Sequence, residues 1–194
     1  MFYGLSEAVR KTTVAKLRLW FATTEPIVLP WKYNANPKVS KIQIYDEFPQ
    51  EETFRPNITI TSASNGTTGE YGLGQYLEKI EDPVTHARYN KFGGKARFNM
   101  TMVLDSWNKP NMESLADVIL VSMADGGAVR GMLEGEGIVI EPDAFVRIGN
   151  ESEIQVDQLR KAYQLNLSFP IVVNWKRTVL IVAEKMTDGV FIKT

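Results

Sequence analysis

One run of sequence narrows the choice of fold more than any other. From Tyr163 to Trp175 the odd positions are Tyr163, Leu165, Leu167, Phe169, Ile171, Val173 and Trp175, all apolar or aromatic. Their even neighbours include Gln164, Asn166, Ser168 and Asn174. Side chains alternate faces along a strand, so this period-2 run predicts a long strand with one buried face. A chain that carries it must build a sheet and cover one side. Pro170 has no N–H for a ladder, so the strand is expected to be interrupted, bulged or at an edge there.

Three shorter runs read the same way. Val39–Tyr45, Asn57–Ser62 and Arg97–Asp105 alternate, the last with Phe98, Met100, Met102 and Leu104 on one face. A further strand region, 137–148, is broken by Pro142. Two stretches carry helical spacing instead. Leu5, Val9, Thr13, Leu17 and Trp20 predict a helix over about 6–23, with Ser6 as cap and Pro26 as stop. Leu115, Ile119 and Met123 predict a second over about 111–125, with Pro110 before it, Asn111 as cap and Gly126-Gly127 after it. A short helical turn is expected over 128–133. Between the first helix and the first strand, Pro30, Trp31, Tyr33 and Pro37 predict an extended connector pinned by its aromatics.

The order of elements predicts one α+β domain over residues 1–194, a mostly antiparallel sheet with helices packed on one face. A chain of 194 residues, 44% hydrophobic, can bury one good core with room for a flap beside it. Residues 178–194 read as a C-terminal arm, helical or docked. Met1-Phe2-Tyr3-Gly4 is not the start of a secretory signal, and no apolar run is long enough to span a bilayer, so no membrane partner is expected.

Residues 63–96 form a long insertion, expected as an extended loop or hairpin. It holds six of the 14 glycines together with Tyr71, Tyr76, Tyr89 and Phe92. Loops of this length usually have a function or structure of their own. One reading is a flap whose aromatics anchor a partner; the other folds it back so that the aromatics fill a satellite core. Within it, Arg88, Tyr89, Lys91, Phe92 and Lys95 mix charge with rings, a pattern that suits either a nucleic-acid backbone or a solvated hairpin tip.

Several chemistries find no support. There is no cysteine, which removes thiolate metal sites, disulfides and a cysteine nucleophile. The single histidine, His86, lies in the insertion, a poor place to hold a general base. Gly93-Gly94-Lys95-Ala96 looks like half a phosphate loop, but Tyr89 and Ala96 stand where Gly and Ser/Thr are needed. No catalytic set, cofactor or metal site is therefore expected, and the chain reads as a non-enzyme.

Charge is uneven although the net is -1. Residues 1–41 carry seven Lys/Arg and two Asp/Glu, residues 125–157 two and eight, and residues 158–194 six and two. Such blocks either present complementary faces for head-to-tail contact between copies or neutralise each other within one chain.

The succession of an N-terminal helix, Ile42–Tyr45, Pro56-Asn57-Ile58-Thr59-Ile60, a long loop, Phe98–Leu104, the helix Met112–Ile119 and the strand ending Phe169-Pro170-Ile171-Val172-Val173-Asn174-Trp175 resembles the tail terminator and tail-completion proteins of the neck of long-tailed bacteriophages. The resemblance is one of element order over most of residues 1–178. It implies a virion protein, assembled in the host cytoplasm, that forms a homo-oligomeric ring, usually a hexamer. Such a ring ends tail-tube growth and joins the tube, and in contractile tails the sheath, to the head connector, with DNA passing through its lumen without sequence-specific binding. The insertion, with Tyr71, Tyr76, Arg88, Tyr89, Lys91, Phe92 and Lys95, would then reach a neighbour or line the lumen, and Trp31 and Tyr33 would anchor subunits. Two other readings stay open: a tube-like, baseplate or adaptor component, and a ligand-binding module with the flap as lid.

Overall fold

The computed structural model describes residues 5–25, 30–46, 54–63, 75–141, 147–149, 151–156 and 160–180. The chain opens with helix α1, Leu5–Thr23. Its buried stripe is Val9, Thr13, Val14, Leu17, Trp20 and Phe21. Thr13 tolerates burial because its hydroxyl donates to the Val9 carbonyl at 2.9 Å. The assigned helix begins before Ser6, which therefore sits inside its first turn rather than capping it.

The strands follow as β1 (Gln43–Tyr45), β2 (Asn57–Ala63), β3 (Gln75–Glu81) and β4 (Arg88–Ser106). Then come helices α2 (Lys109–Met123) and α3 (Ala128–Glu134), and strands β5 (Ile138–Ile140), β6 (Arg147–Ile148), β7 (Ser152–Gln155) and β8 (Lys161–Leu180). Among the described residues they make one eight-stranded sheet of order β1-β2-β4-β8-β5, with β3 on β4 and both β6 and β7 on β8. β1 runs parallel to β2, whereas β2–β4, β3–β4, β5–β8, β6–β8 and β7–β8 are antiparallel. The fold is α+β with a mostly antiparallel sheet.

The chain divides into two compact units, one of residues 1–69 with 97–173, the other of 70–96 with 174–194. The first holds the core. Met100, Met102 and Leu104 of β4, Ile58 and Ile60 of β2, and Leu165, Leu167, Phe169, Ile171 and Val173 of β8 are buried with the stripes of α1 and α2. The alternation read from sequence thus marks the buried face correctly in three strands. On the other face, solvent was the expectation, yet Asn57, Thr59, Val103 and Asp105 are buried as well. Two of the polar groups are met locally: Arg55 Nε donates to Asp105 at 2.7 Å, and Asn57 Nδ2 to the Phe54 carbonyl at 2.9 Å.

Four boundaries differ from expectation, each for a local reason. Asn108, not Asn111, caps α2: its side-chain oxygen accepts from the Asn111 N–H at 2.8 Å. Pro110 sits in the first turn, where a missing N–H costs nothing. β8 runs without interruption through Pro170, because that residue falls where the β5 ladder ends. Its carbonyl still accepts from the Glu141 N–H at 3.1 Å. The strand continues to Leu180, so residues 178–180 of the expected arm belong to the sheet; residues 181–194 lie outside the described residues. β7 has no sequence signature, since Ile154 is its one apolar residue and all four positions are exposed.

Candidate functional site

The expected insertion is, in its described part, a regular hairpin. Glu81 pairs with Arg88, Ile80 with Tyr89, Lys79 with Asn90, Glu78 with Lys91, Tyr76 with Phe92 and Gln75 with Gly93. The register shifts between Tyr76 and Glu78, leaving Leu77 as the extra residue of a bulge. Gly93 and Gly94, read above as half a phosphate loop, lie within β4.

The turn is tied by its own sequence. Asp82 N–H donates to the Ala87 carbonyl and His86 N–H to the Asp82 carbonyl, both at 2.9 Å. The Asp82 carboxylate accepts from the backbone N–H groups of Val84 and Thr85, each at 2.8 Å. These bonds, Thr85's foremost, hold the Asp82 carboxyl below its usual range. His86 takes the left-handed conformation, φ 52°, with its side chain 79% exposed.

The hairpin neutralises its own charge. Arg88 pairs with Glu81 at 3.1 Å and Lys91 with Glu78 at 2.5 Å, each directly across the ladder. His86 Nδ1 lies 3.5 Å from Glu81. Exposed pairs contribute little to stability, but they favour this register. Two of the cations considered for a nucleic-acid backbone are thus engaged by carboxylates. Lys95 is exposed and has no ion pair among the described residues.

What the hairpin offers instead is apolar. Leu77 is 48% exposed, Ile80 37% and Val84 85%. Tyr89 and Phe92 are half-buried. The side chain of Tyr76 and the whole of Tyr71 lie outside the described residues.

The other two candidates face inward. Trp31 is 8% exposed and belongs to the core cluster. Tyr33 is half-buried beneath Arg18, whose guanidinium lies 5.5 Å from the ring centre. Its backbone bridges to Ile42. Both pin the connector, as the aromatics suggested, which leaves Trp31 little surface for a neighbouring subunit.

The acidic block resolves toward internal pairing. Asp125 and Glu134 pair with Arg130, Glu136 with Lys16, Glu141 with Arg97, Glu151 with Lys109 and Glu153 with Lys161. Those are all the acids of 125–157 that the structure describes. Sequence reasoning also missed the Arg55–Asp105 pair, whose members are 50 positions apart and carry no joint signature. Arg55 and Arg160 both stack on Trp107, at 4.6 and 5.4 Å.

A cavity beside Val9, Arg10, Ile60, Phe98, Met100 and Ile171 holds only about 10 Å3. That is far too small for a metabolite. Among the described residues no group of three His, Asp or Glu side chains is placed to hold a metal, and no helix is long and apolar enough to cross a membrane. No family model matches the chain, and comparison with curated proteins finds no match.

Proposed function

We propose that this protein is a structural, non-enzymatic ring component of a bacteriophage tail neck, which ends growth of the tail tube and joins it to the head connector. The observation that carries the reading is the hairpin of Gln75–Glu81 and Arg88–Ala96. It belongs to the second compact unit, pairs Arg88 and Lys91 with its own carboxylates and leaves Leu77, Ile80 and Val84 exposed. A segment of that character is suited to burial against another protein. Repeated between identical chains, a contact of two unlike surfaces closes into a ring when the rotation allows.

The mechanism is geometric. One ring face reproduces the contact that a tube subunit offers, the other lacks it and meets the connector, and DNA passes through the lumen without sequence-specific contact. Tube, connector and, in a contractile tail, sheath are the partners. No cofactor enters, and the place of action is the virion.

The test is a triple variant, Leu77→Asp, Ile80→Asp and Val84→Asp. Val84 is largely exposed and its change should cost the monomer no more than about 0.5 kcal/mol, while Leu77 and Ile80, more covered and set in a strand, should cost about 1 kcal/mol each. Far-UV circular dichroism should be unchanged while the ring is lost. Deleting residues 69–94 should likewise leave a folded monomer that does not assemble. A ring that survives both changes refutes the proposal.

A further inference from the structure

The connector between α1 and β1 is more than a link. The Lys41 N–H donates to the Lys32 carbonyl at 2.8 Å, closing residues 32–41 into a compact surface loop. Its interior is stitched by its own side chains. Ser40, itself buried, accepts from the Asn34 N–H at 3.0 Å and donates to the Ile42 carbonyl at 2.5 Å. Asn34 Oδ1 accepts from Asn36 N–H at 2.8 Å, and Asn36 Oδ1 from Lys38 N–H at 3.1 Å. The Asn36 carbonyl accepts from both Val39 and Ser40 at 3.1 Å. Tyr33 N–H donates to the Phe21 carbonyl at 3.3 Å, and Trp31 is sunk in the core.

That is a costly degree of order for a loop without a use, and what it displays is charge. Lys32, Lys38 and Lys41 are all exposed, and none has an ion pair among the described residues. No acid occurs from position 30 to 45. The backbone bond between Lys32 and Lys41 sets two of the three side by side. The acids of 125–157 that the structure describes each have a partner within the chain, so none of them is left to complement the loop.

We infer that the Lys32–Lys41 loop is a binding site for the phosphate backbone of a nucleic acid, read without regard to sequence. Protein interfaces are depleted in lysine and rich in aromatic rings. This loop shows the reverse, three lysines outward and its one aromatic ring, Tyr33, half-buried against the core. The Oδ1 atoms of Asn34 and Asn36 already accept from the loop's own backbone, which works against bidentate reading of a base edge and favours charge as the means of recognition. A second copy of this chain is a poor occupant, because the acidic block that would complement the loop is already paired. The inference does not rest on the ring reading.

The test is binding of a mixed-sequence duplex of about 30 base pairs, followed by fluorescence anisotropy from about 20 to 200 mM salt. Three lysines each neutralising one phosphate give a slope of log K against log salt of about -2.7, so a fourfold rise in salt weakens binding roughly 40-fold. The slope is steeper if several protomers share one duplex. Lys32→Gln, Lys38→Gln and Lys41→Gln together should flatten the slope and abolish binding, each alone lowering it by about one. Lys11→Gln with Lys161→Gln, two exposed lysines outside both the loop and the hairpin, should leave it unchanged. Circular dichroism confirms that the variants are folded. The inference is overturned if the wild-type chain does not bind at about 20 mM salt, or if the triple variant keeps the wild-type slope. It is also overturned if poly-glutamate binds more tightly than the duplex through the same lysines, which would assign the loop to an acidic protein.

Discussion

Removing the carboxylate of Asp105 should destabilise the first unit more than any surface change. Arg55 Nε bonds Asp105 at 2.7 Å, and the two side chains are only 9% and 10% exposed. Removing one member of a pair this buried costs up to about 3–5 kcal/mol, and less where the remaining charge keeps other contacts, as Arg55 does. The Arg55 guanidinium also lies 4.6 Å from the centre of Trp107, a contact that survives the change and offsets part of the loss. The expected cost of Asp105→Ala is therefore at the low end, about 3 kcal/mol. For a chain of this size that lowers Tm by roughly 6–12 °C, read by scanning calorimetry. Screening acts weakly on buried pairs, so the shift should persist in about 1 M salt. The double variant Arg55→Met with Asp105→Leu fills the site without charge and should recover most of the loss, since apolar replacement of a buried pair is often neutral or better. A shift under about 2 °C for Asp105→Ala, or a double variant no more stable than the single, would refute the argument.

Other outcomes follow from single contacts. Asn108→Ala removes the cap of α2 and should cost about 1 kcal/mol by urea denaturation, while Asn111→Ala should cost far less. Gly127→Ala would place its Cβ 2.2 Å from the Ser122 carbonyl oxygen, so the end of α2 must shift; a loss of about 1–3 kcal/mol is expected, and a neutral result would contradict the close approach. Arg88→Ala on the exposed hairpin should change Tm by less than about 2 °C. The lowered pKa of Asp82 means that its support of the turn is fully present above the ordinary carboxylate range and is lost as pH falls through the depressed value. The protection factor of the Thr85 amide, taken relative to its intrinsic exchange rate at each pH, should fall in acid, and a protection factor unchanged in strong acid would contradict this.

Sequence periodicity marked the large elements well because burial enforces it. The odd residues Leu165–Val173 of β8, the even residues Met100–Leu104 of β4 and the stripe of α1 all fill one core. It failed where hydrogen bonding, not burial, decides structure. β7 is exposed at every position and exists because Ser152–Gln155 pairs with Lys161–Gln164. The second half of the insertion joins β4, although Arg88–Ala96 shows no apolar alternation, because β3 pairs with it. Pro170 misled in the other direction, since a missing donor matters only where a ladder asks for one.

The candidate site was legible in part. An insertion rich in Gly and aromatics pointed to the hairpin, and Trp31 and Tyr33 to a pinned connector. Composition could not show that Arg88 and Lys91 are engaged by Glu81 and Glu78, because that depends on the hairpin register. Nor could block charge show which acids of 125–157 meet partners as distant in sequence as Lys16. Lys32, Lys38 and Lys41 of the connector, by contrast, have no ion pair among the described residues, which no composition could show.

The central claim is that copies of this chain close into a ring, and absolute mass by light scattering tests it most directly. Six copies of 21.9 kDa make a species of about 131 kDa, which negative-stain imaging should show with a central hole. Long tubes would contradict closure, and a monomer that stays at 21.9 kDa when mixed with tail tubes would contradict the ring itself.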